Sequence, residues 1–321
     1  MRAAVCPAFG PPEVVRIEQR DVPAPGPGQV GVRVHAAAVN FPDVLLIADS
    51  YQVSVAPPFV VGSEFAGVVD DVGSDVDDLA VGDSVTGTGM VGAFAERVVV
   101  EAARVSAVPD GLDLFAAAAA GVAHRTAMHS LRSMARVGEG DELVVLGAGG
   151  GVGLAAVQLG VALGAHVTAV ASSPEKLSVA TIYGARHGID HRETDVRAAL
   201  RGAIPAGADA VLDPVGGAVS EPALRSLRRG GRFITVGFAS GTIPRIPLNL
   251  VLVKGIHVLG FQFQDVPADE FARTEQELRA LLASRRVTPH IGAVYPLAEA
   301  AAALRHVADG RAVGKVLIDL R

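Results

Sequence analysis

The chain has 321 residues, half of them hydrophobic and 19% charged, which is material for two cores and not the composition of a disordered segment. The formal net charge is −6 and the Lys and Arg residues form no run along the chain, which argues against nucleic acid or an anionic membrane as partner. The one cysteine, Cys6, cannot close an internal disulfide, and residues 1–12 lack a signal-peptide pattern, so a cytoplasmic location is expected.

Residues 29–34, 66–72, 83–86 and 95–100 read as short strands, separated by turn signals at 23–28 and 73–75, and predict a mostly-β domain over 1–117. An Ala-rich helical run follows at 114–136. Beyond Gly140 the pattern alternates. Strands are predicted at 142–146, 166–170, 187–189, 210–213, 232–236 and 257–259, with helices at 151–163, 174–183, 195–201, 217–229 and 248–253. Such alternation implies a six-stranded parallel sheet with right-handed crossovers, giving an α/β domain over 118–262. The uncharged stretch 143–174 is a membrane span by hydropathy alone, but five glycines between 147 and 153 argue for a buried strand, a turn and a buried helix. The tail, 263–321, reads as helix 269–283, strand 291–295, helix 297–309 and strand 315–320. It is too small for a core of its own and is expected to return to the first domain.

The segment Val144-Val145-Leu146-Gly147-Ala148-Gly149-Gly150-Gly151-Val152-Gly153 joins a predicted strand to a predicted helix. Glycines there let the backbone approach a pyrophosphate, and the helix N-terminus offers N–H groups and a positive dipole end. The fitting register is Ala148-x-Gly150-x-x-Gly153, so Gly150, Gly151, Val152 and Gly153 are candidate cofactor contacts. Where an NAD site has Asp or Glu for the ribose 2′-OH, this chain reads Ala171-Ser172-Ser173-Pro174-Glu175-Lys176. Ser172 and Ser173 can donate to a 2′-phosphate and Lys176 can supply charge, which points to NADPH; the serines can equally cap the following helix.

These residues, with Ala38-Val39-Asn40-Phe41-Pro42-Asp43, Gly62-Ser63-Glu64-Phe65-Ala66-Gly67, Val81-Gly82-Asp83-Ser84-Val85, Asp213-Pro214-Val215-Gly216-Gly217 and Gly237-Phe238-Ala239-Ser240-Gly241, resemble the zinc-independent quinone oxidoreductase branch of the medium-chain dehydrogenase/reductase superfamily. The resemblance implies a GroES-like, mostly-β catalytic domain made from both chain ends, a doubly wound Rossmann domain between them, and a homodimer formed by Rossmann edge strands. It places Asn40, Phe41, Thr126, Phe238, Phe261 and Lys315 at the cofactor, and puts His191 on the adenosine side. Asn40 is expected near nicotinamide and substrate, with Asp43 and Tyr51 as further catalytic candidates. Each has a plainer role open to it: Asn40 can fix the turn before Pro42, Asp43 can cap a helix, the aromatics can pack a core, and Lys315 can be a solvated lysine. Many quinone reductases carry a tyrosine at the position of Leu45.

No metal is expected. A catalytic zinc needs three Cys, His or carboxylate ligands. Zinc-bearing relatives have histidine where this chain has Ser63, and the segment aligned with their first cysteine ligand is 40–43. Without a Lewis acid the substrate should already be electrophilic, a quinone or an enone or enal, reduced by hydride transfer from NADPH. Reduction of an enoyl thioester such as an acyl-CoA is the alternative, for which Arg225, Arg228 and Arg229 are the only basic residues to suggest an entrance. A non-catalytic, crystallin-like NADPH-binding protein is the third reading.

Overall fold

The structure, a computed structural model, describes residues 1–321, the side chain of Gln264 apart. The chain forms two compact units, Met1–Val122 with Pro289–Arg321, and Ala123–Thr288. In chain order the first stretch holds β1 (Arg2–Cys6), β2 (Arg16–Gln19), β3 (Gln29–Val39), α1 (Phe41–Ile47), β4 (Phe59–Val60), β5 (Glu64–Val72), β6 (Ser84–Thr88), β7 (Arg97–Glu101) and β8 (Val105–Ala107), then α2 (Leu114–His129). The middle holds β9 (Glu142–Leu146), α3 (Gly151–Ala162), β10 (His166–Ala171), α4 (Pro174–Ile182), β11 (His187–Asp190), α5 (Val196–Ala203), β12 (Ala208–Asp213), α6 (Ser220–Ser226), β13 (Leu227–Thr235), α7 (Leu248–Lys254), β14 (His257–Gly260) and α8 (Ala268–Ala283). The last stretch is β15 (Ile291–Pro296), α9 (Ala300–Ala308) and β16 (Lys315–Asp319).

In the first unit β3 is the organising strand. It pairs antiparallel with β5, β7 and β16, in a sheet ordered β15-β16-β3-β5-β6-β8. Successive side chains of a strand point to opposite faces. Val30, Val32 and Val34 enter the main core; the register irregularity between Val34 and Ala36 then switches the alternation, so that Ala37 and Val39 enter it while Ala36 and Ala38 pack with Ala117–Ala119 of α2 on the other face. The strand needs alanines there because a helix lies against it. A smaller sheet, β2-β1-β4, flanks this one.

The second unit is a parallel sheet in the order β11-β10-β9-β12-β13-β14. Leu143–Leu146 is wholly buried, as expected of a parallel strand covered on both faces. The stretch 143–174 thus resolves into β9, a glycine turn, α3 and β10. Among the described residues no helix is long and apolar enough to cross a membrane.

Four expectations are revised. The return to the first unit begins at Pro289 and not at 263, because α8 stays with the second unit: Glu275 accepts bonds from Arg125 at 2.9 Å and meets His129 Nε2 at 2.9 Å, and the Phe271 ring stacks on His129. The boundary before the Rossmann unit lies at 122/123, five residues later than 117/118, within the continuous helix α2. The helix expected over 217–229 stops at Ser226, since Leu227–Thr235 is already strand. The run at 114–136 is α-helical only to His129 and closes with a π-helical turn, Ser130–Met134.

Candidate functional site

In the second unit the carboxyl end of β9 meets the glycine turn. The sharp bend is made by Gly147, with φ of +61°, one residue before the Ala148 that opens the expected register. Gly150 is the N-cap of α3, so Gly151, Val152 and Gly153 present first-turn N–H groups that have no carbonyl within the helix. A Cβ on Gly153 would run into the carbonyl oxygen of Gly147, so glycine here lets the helix start against the strand end. Val215 packs over Gly147 from the loop after β12. That loop is pinned by buried Asp213, which accepts from Val215 N and Gly216 N at 2.8 Å and from Ser220 Oγ at 2.5 Å. Asp213 was not among the expected site residues; its signal is an acid at the end of an apolar strand, before Pro-Val-Gly-Gly.

At the end of β10, Ser173 caps α4 and accepts from Lys176 N at 3.3 Å. The capping role is therefore real. Ser172 is left beside the ammonium, with Lys176 Nζ 3.4 Å from its Oγ. The stem of Lys176 lies over Gly149, where a Cβ would collide with it. Burial, then the nearby Arg192 guanidinium, hold the Lys176 ammonium below its ordinary value, with Glu175 opposing. Ser172, Lys176 and Arg192 thus gather donors and positive charge at the strand end where an acid would select NAD. Arg192, two residues beyond β11, was missed because no local motif marks it. His191 precedes it and donates its backbone N–H to Ala171 O at 3.0 Å, which joins the ends of β10 and β11.

The remaining second-unit candidates are less closely grouped. Phe238 is partly exposed beside Gly216, and Thr126 is half-buried on α2. Phe261 is buried in an aromatic cluster with His129 and Phe263, the packing role left open for it.

In the first unit Asn40, Glu64 and Lys315 come together from three distant segments. Asn40 directly follows β3, Glu64 opens β5, and Lys315 opens β16, which pairs with β3. Lys315 Nζ donates to Asn40 Oδ1 at 2.6 Å and to Glu64 Oε2 at 3.1 Å, with Val39 O at 3.5 Å. Asn40 Nδ2 donates to Glu64 Oε2 at 3.0 Å and faces Ala38 O at 3.3 Å. Glu64 Oε1 accepts from Val122 N at 2.6 Å. Lys315 is buried, so the solvated alternative does not hold for it. Both amide protons of Asn40 have partners within the unit, and what it retains is the second lone pair of Oδ1.

Asp43, wholly buried on the first turn of α1, accepts from Asn40 N at 2.8 Å. This is the capping role, and it also fixes the Asn40 backbone. Burial pushes the Asp43 carboxyl up to about 7, against the Asn40 N–H, the Ser63 hydroxyl and the Lys315 charge, which pull it down, while Glu64 adds to the rise. Phe41 opens the same helix, and Tyr51 packs part-buried against the unit's core. Among the described residues no three His, Cys, Asp or Glu gather where they could hold a metal ion.

Comparison with known proteins adds to this geometry. Residues 26–110 match the alcohol dehydrogenase GroES-like domain family, and residues 151–283 match the family described as zinc-binding dehydrogenase. Quinone oxidoreductase-like protein 2 of Bos taurus is 34% identical, over 100% of this chain and 93% of its own. Among solved structures, Escherichia coli quinone oxidoreductase complexed with NADPH superposes with a TM-score of 0.91 at 26% identity, covering 99% of this chain and 100% of its own. A protein described as an NAD-dependent alcohol dehydrogenase superposes with a TM-score of 0.91 at 30% identity, covering 99% of both chains.

Proposed function

The chain belongs to the quinone oxidoreductase branch of the medium-chain dehydrogenase/reductase superfamily, and from that premise we propose that it is a zinc-free reductase of quinones and activated alkenes. It is an oxidoreductase, and its cofactor is NADPH. The relatives' names point to both nicotinamide cofactors, and the residues at the end of β10 decide between them: Ser172, Lys176 and Arg192 suit a 2′-phosphate, and no acid stands there to repel it. Bound at the glycine turn, NADPH supplies a hydride.

The observation that carries the substrate class is that the donors of Lys315 and of the Asn40 side chain are already taken up within the unit. Lys315 donates to Asn40 Oδ1, Glu64 and Val39 O, and the Asn40 amide protons go to Glu64 and Ala38 O. Ser63 stands where a histidine ligand would be needed for zinc, and the one cysteine lies buried in β1. Such a pocket offers little to polarise an unactivated carbonyl or to take the proton of an alcohol. It suits an acceptor that is already electron-poor, which needs positioning and a dry surrounding more than acid catalysis. A quinone takes the hydride and one proton from solvent to give the hydroquinone, so no protein acid is required.

The active form is a homodimer. β14 is a sheet edge with unpaired backbone groups, and Leu248, Leu252 and Val253 on neighbouring α7 are exposed. The lone buried cysteine suits a cytoplasmic location.

Purified protein assayed for NADPH oxidation should turn over a quinone and an alkenal, and should leave a primary alcohol with NADP+ unreacted. Turnover with an enoyl-CoA alone would move the assignment to thioester reduction; none with any acceptor, despite NADPH binding, would remove the enzyme reading. Stoichiometric zinc in the active protein would overturn the metal-free mechanism. Lys176→Ala should raise the Kd for NADPH by about ten- to a hundredfold, the worth of a charged hydrogen bond, and leave NADH nearly unchanged.

A further inference from the structure

The fold collects six of the 28 basic residues at one place. A cavity of about 450 Å³ in the second unit is lined by Arg197, Arg201, Arg225, Arg228, Arg229 and Lys254, with no Asp or Glu in its lining. It lies where β12 and β13 begin, with Gly207 just before β12 and Leu227 opening β13, and so at the amino ends of the strands. The glycine turn is at their carboxyl ends, roughly 16 Å away along a six-residue strand. Arg225, Arg228 and Arg229 therefore cannot serve the entrance of an acyl-CoA to the hydride site, and the cavity is separate from the NADPH cradle.

Part of this charge has a structural use. Helices α5, α6 and α7 all end here, and Arg201, Arg225 and Lys254 sit in their last turns, where cations offset the negative end of the helix dipole. Arg225 is paired with Glu221 at 2.6 Å, and Arg228 with Asp209. Lys254 Nζ donates to Arg225 O at 2.6 Å and Leu227 O at 2.7 Å, and Arg229 donates to Val253 O at 2.7 Å. Two carboxylates, with about half a negative charge per helix end, do not neutralise six cations. Arg197 and Arg201 are the surplus. They stand four apart on one face of α5, a repulsive spacing, and neither has an acidic partner among the described residues. Leu200, Ile204, Leu227 and Leu250 supply an apolar wall to the same cavity.

We propose that this cavity is a second anion site, which takes a phosphate ester with at least two negative charges and an apolar body. Guanidinium groups match phosphate oxygens in pairs, and two arginines one helical turn apart can clamp two phosphates or both edges of one. The like-charge pair on α5, a cost to the empty protein, becomes favourable when an anion lies between its members.

The test uses protein saturated with NADPH, so that the nucleotide cradle is filled. Calorimetric titration with adenosine 3′,5′-bisphosphate, at fixed ionic strength, should show one site per chain. Pyrophosphate, without the apolar body, should bind the same site more weakly. The double variant Arg197→Gln/Arg201→Gln should lose tenfold or more in affinity for both, keep its Kd for NADPH, and melt no lower than the parent, because a repulsive pair is gone. Absence of binding to the NADPH-loaded protein, equal binding by parent and double variant, or pyrophosphate binding as tightly as the bisphosphate would each overturn the proposal.

Discussion

Asp43 is a carboxyl enclosed by protein on every side, at the foot of a helix whose first residue is a candidate cofactor contact. Its folded value of about 7 stands above the ordinary 3.8, so between those values the folded chain holds a proton that the unfolded chain has released. The contribution to stability is then full below about pH 4 and declines as pH rises towards 7, on the order of 1.4 kcal/mol per pH unit for this one group. Asp43→Asn keeps an oxygen to accept the Asn40 N–H and cannot ionise. Urea titrations at pH 5 and pH 8 should show a smaller loss of stability in the variant than in the parent; equal losses would mean that Asp43 titrates normally. Little of this was legible in the sequence. The sequence offered Asp43 as a catalytic candidate with capping as its plainer role; it does cap, and its burial depends on the packing of segments far away in the chain. The same holds for Lys315: its meeting with Asn40 across 275 residues leaves no local trace, and only the resemblance to a family put both near the cofactor.

Among the elements, the parallel strands were the most readable, since a strand buried on both faces must be apolar without a break. The ends of β9 agree residue for residue with the expected 142–146. The short strands β1, β2 and β4 escaped notice: β1 reads Arg-Ala-Ala-Val-Cys with no alternation, and β4 has two residues. β13 was misjudged at its start because Leu-Arg-Arg suits a helix; the strand is set by pairing with β12, with a register irregularity between Ala208 and Ala210. At the turn between β9 and α3, Gly153, the last glycine of the motif, lies against the Gly147 carbonyl. Gly153→Ala should force α3 off the strand end, at a cost of about 1–3 kcal/mol in stability, and weaken NADPH and NADH alike because both share the pyrophosphate. Thermal melts with cofactor titrations check this. A loss confined to NADPH would show that the effect travels through Lys176 instead.

For the molecule as a whole, composition and net charge were read correctly as sums and were uninformative about place. An acidic chain with dispersed arginines still builds a basic cavity, because parallel α/β topology brings successive helix ends to one side of the sheet. The same topology leaves β14 as an edge. Leu252→Asp with Val258→Asp should convert a dimer into a monomer in sedimentation equilibrium and leave the melting of the isolated chain little changed, since both residues are exposed. A parent that sediments as a monomer would refute the assembly.

The central place of β16 in the first unit has a bearing on biosynthesis. It leaves the ribosome after every other strand of the two units, yet it lies between β15 and β3 and brings Lys315 to Asn40 and Glu64. The nucleotide-binding unit, contiguous over Ala123–Thr288, has all its strands while the ribosome is still adding residues. The other unit must wait with the Ala36–Val39 end of β3 unpaired on one side and Glu64 without its cation. Translation therefore completes the parallel sheet before the antiparallel one, and a chain stalled before residue 315 would carry the whole second unit beside an unfinished first.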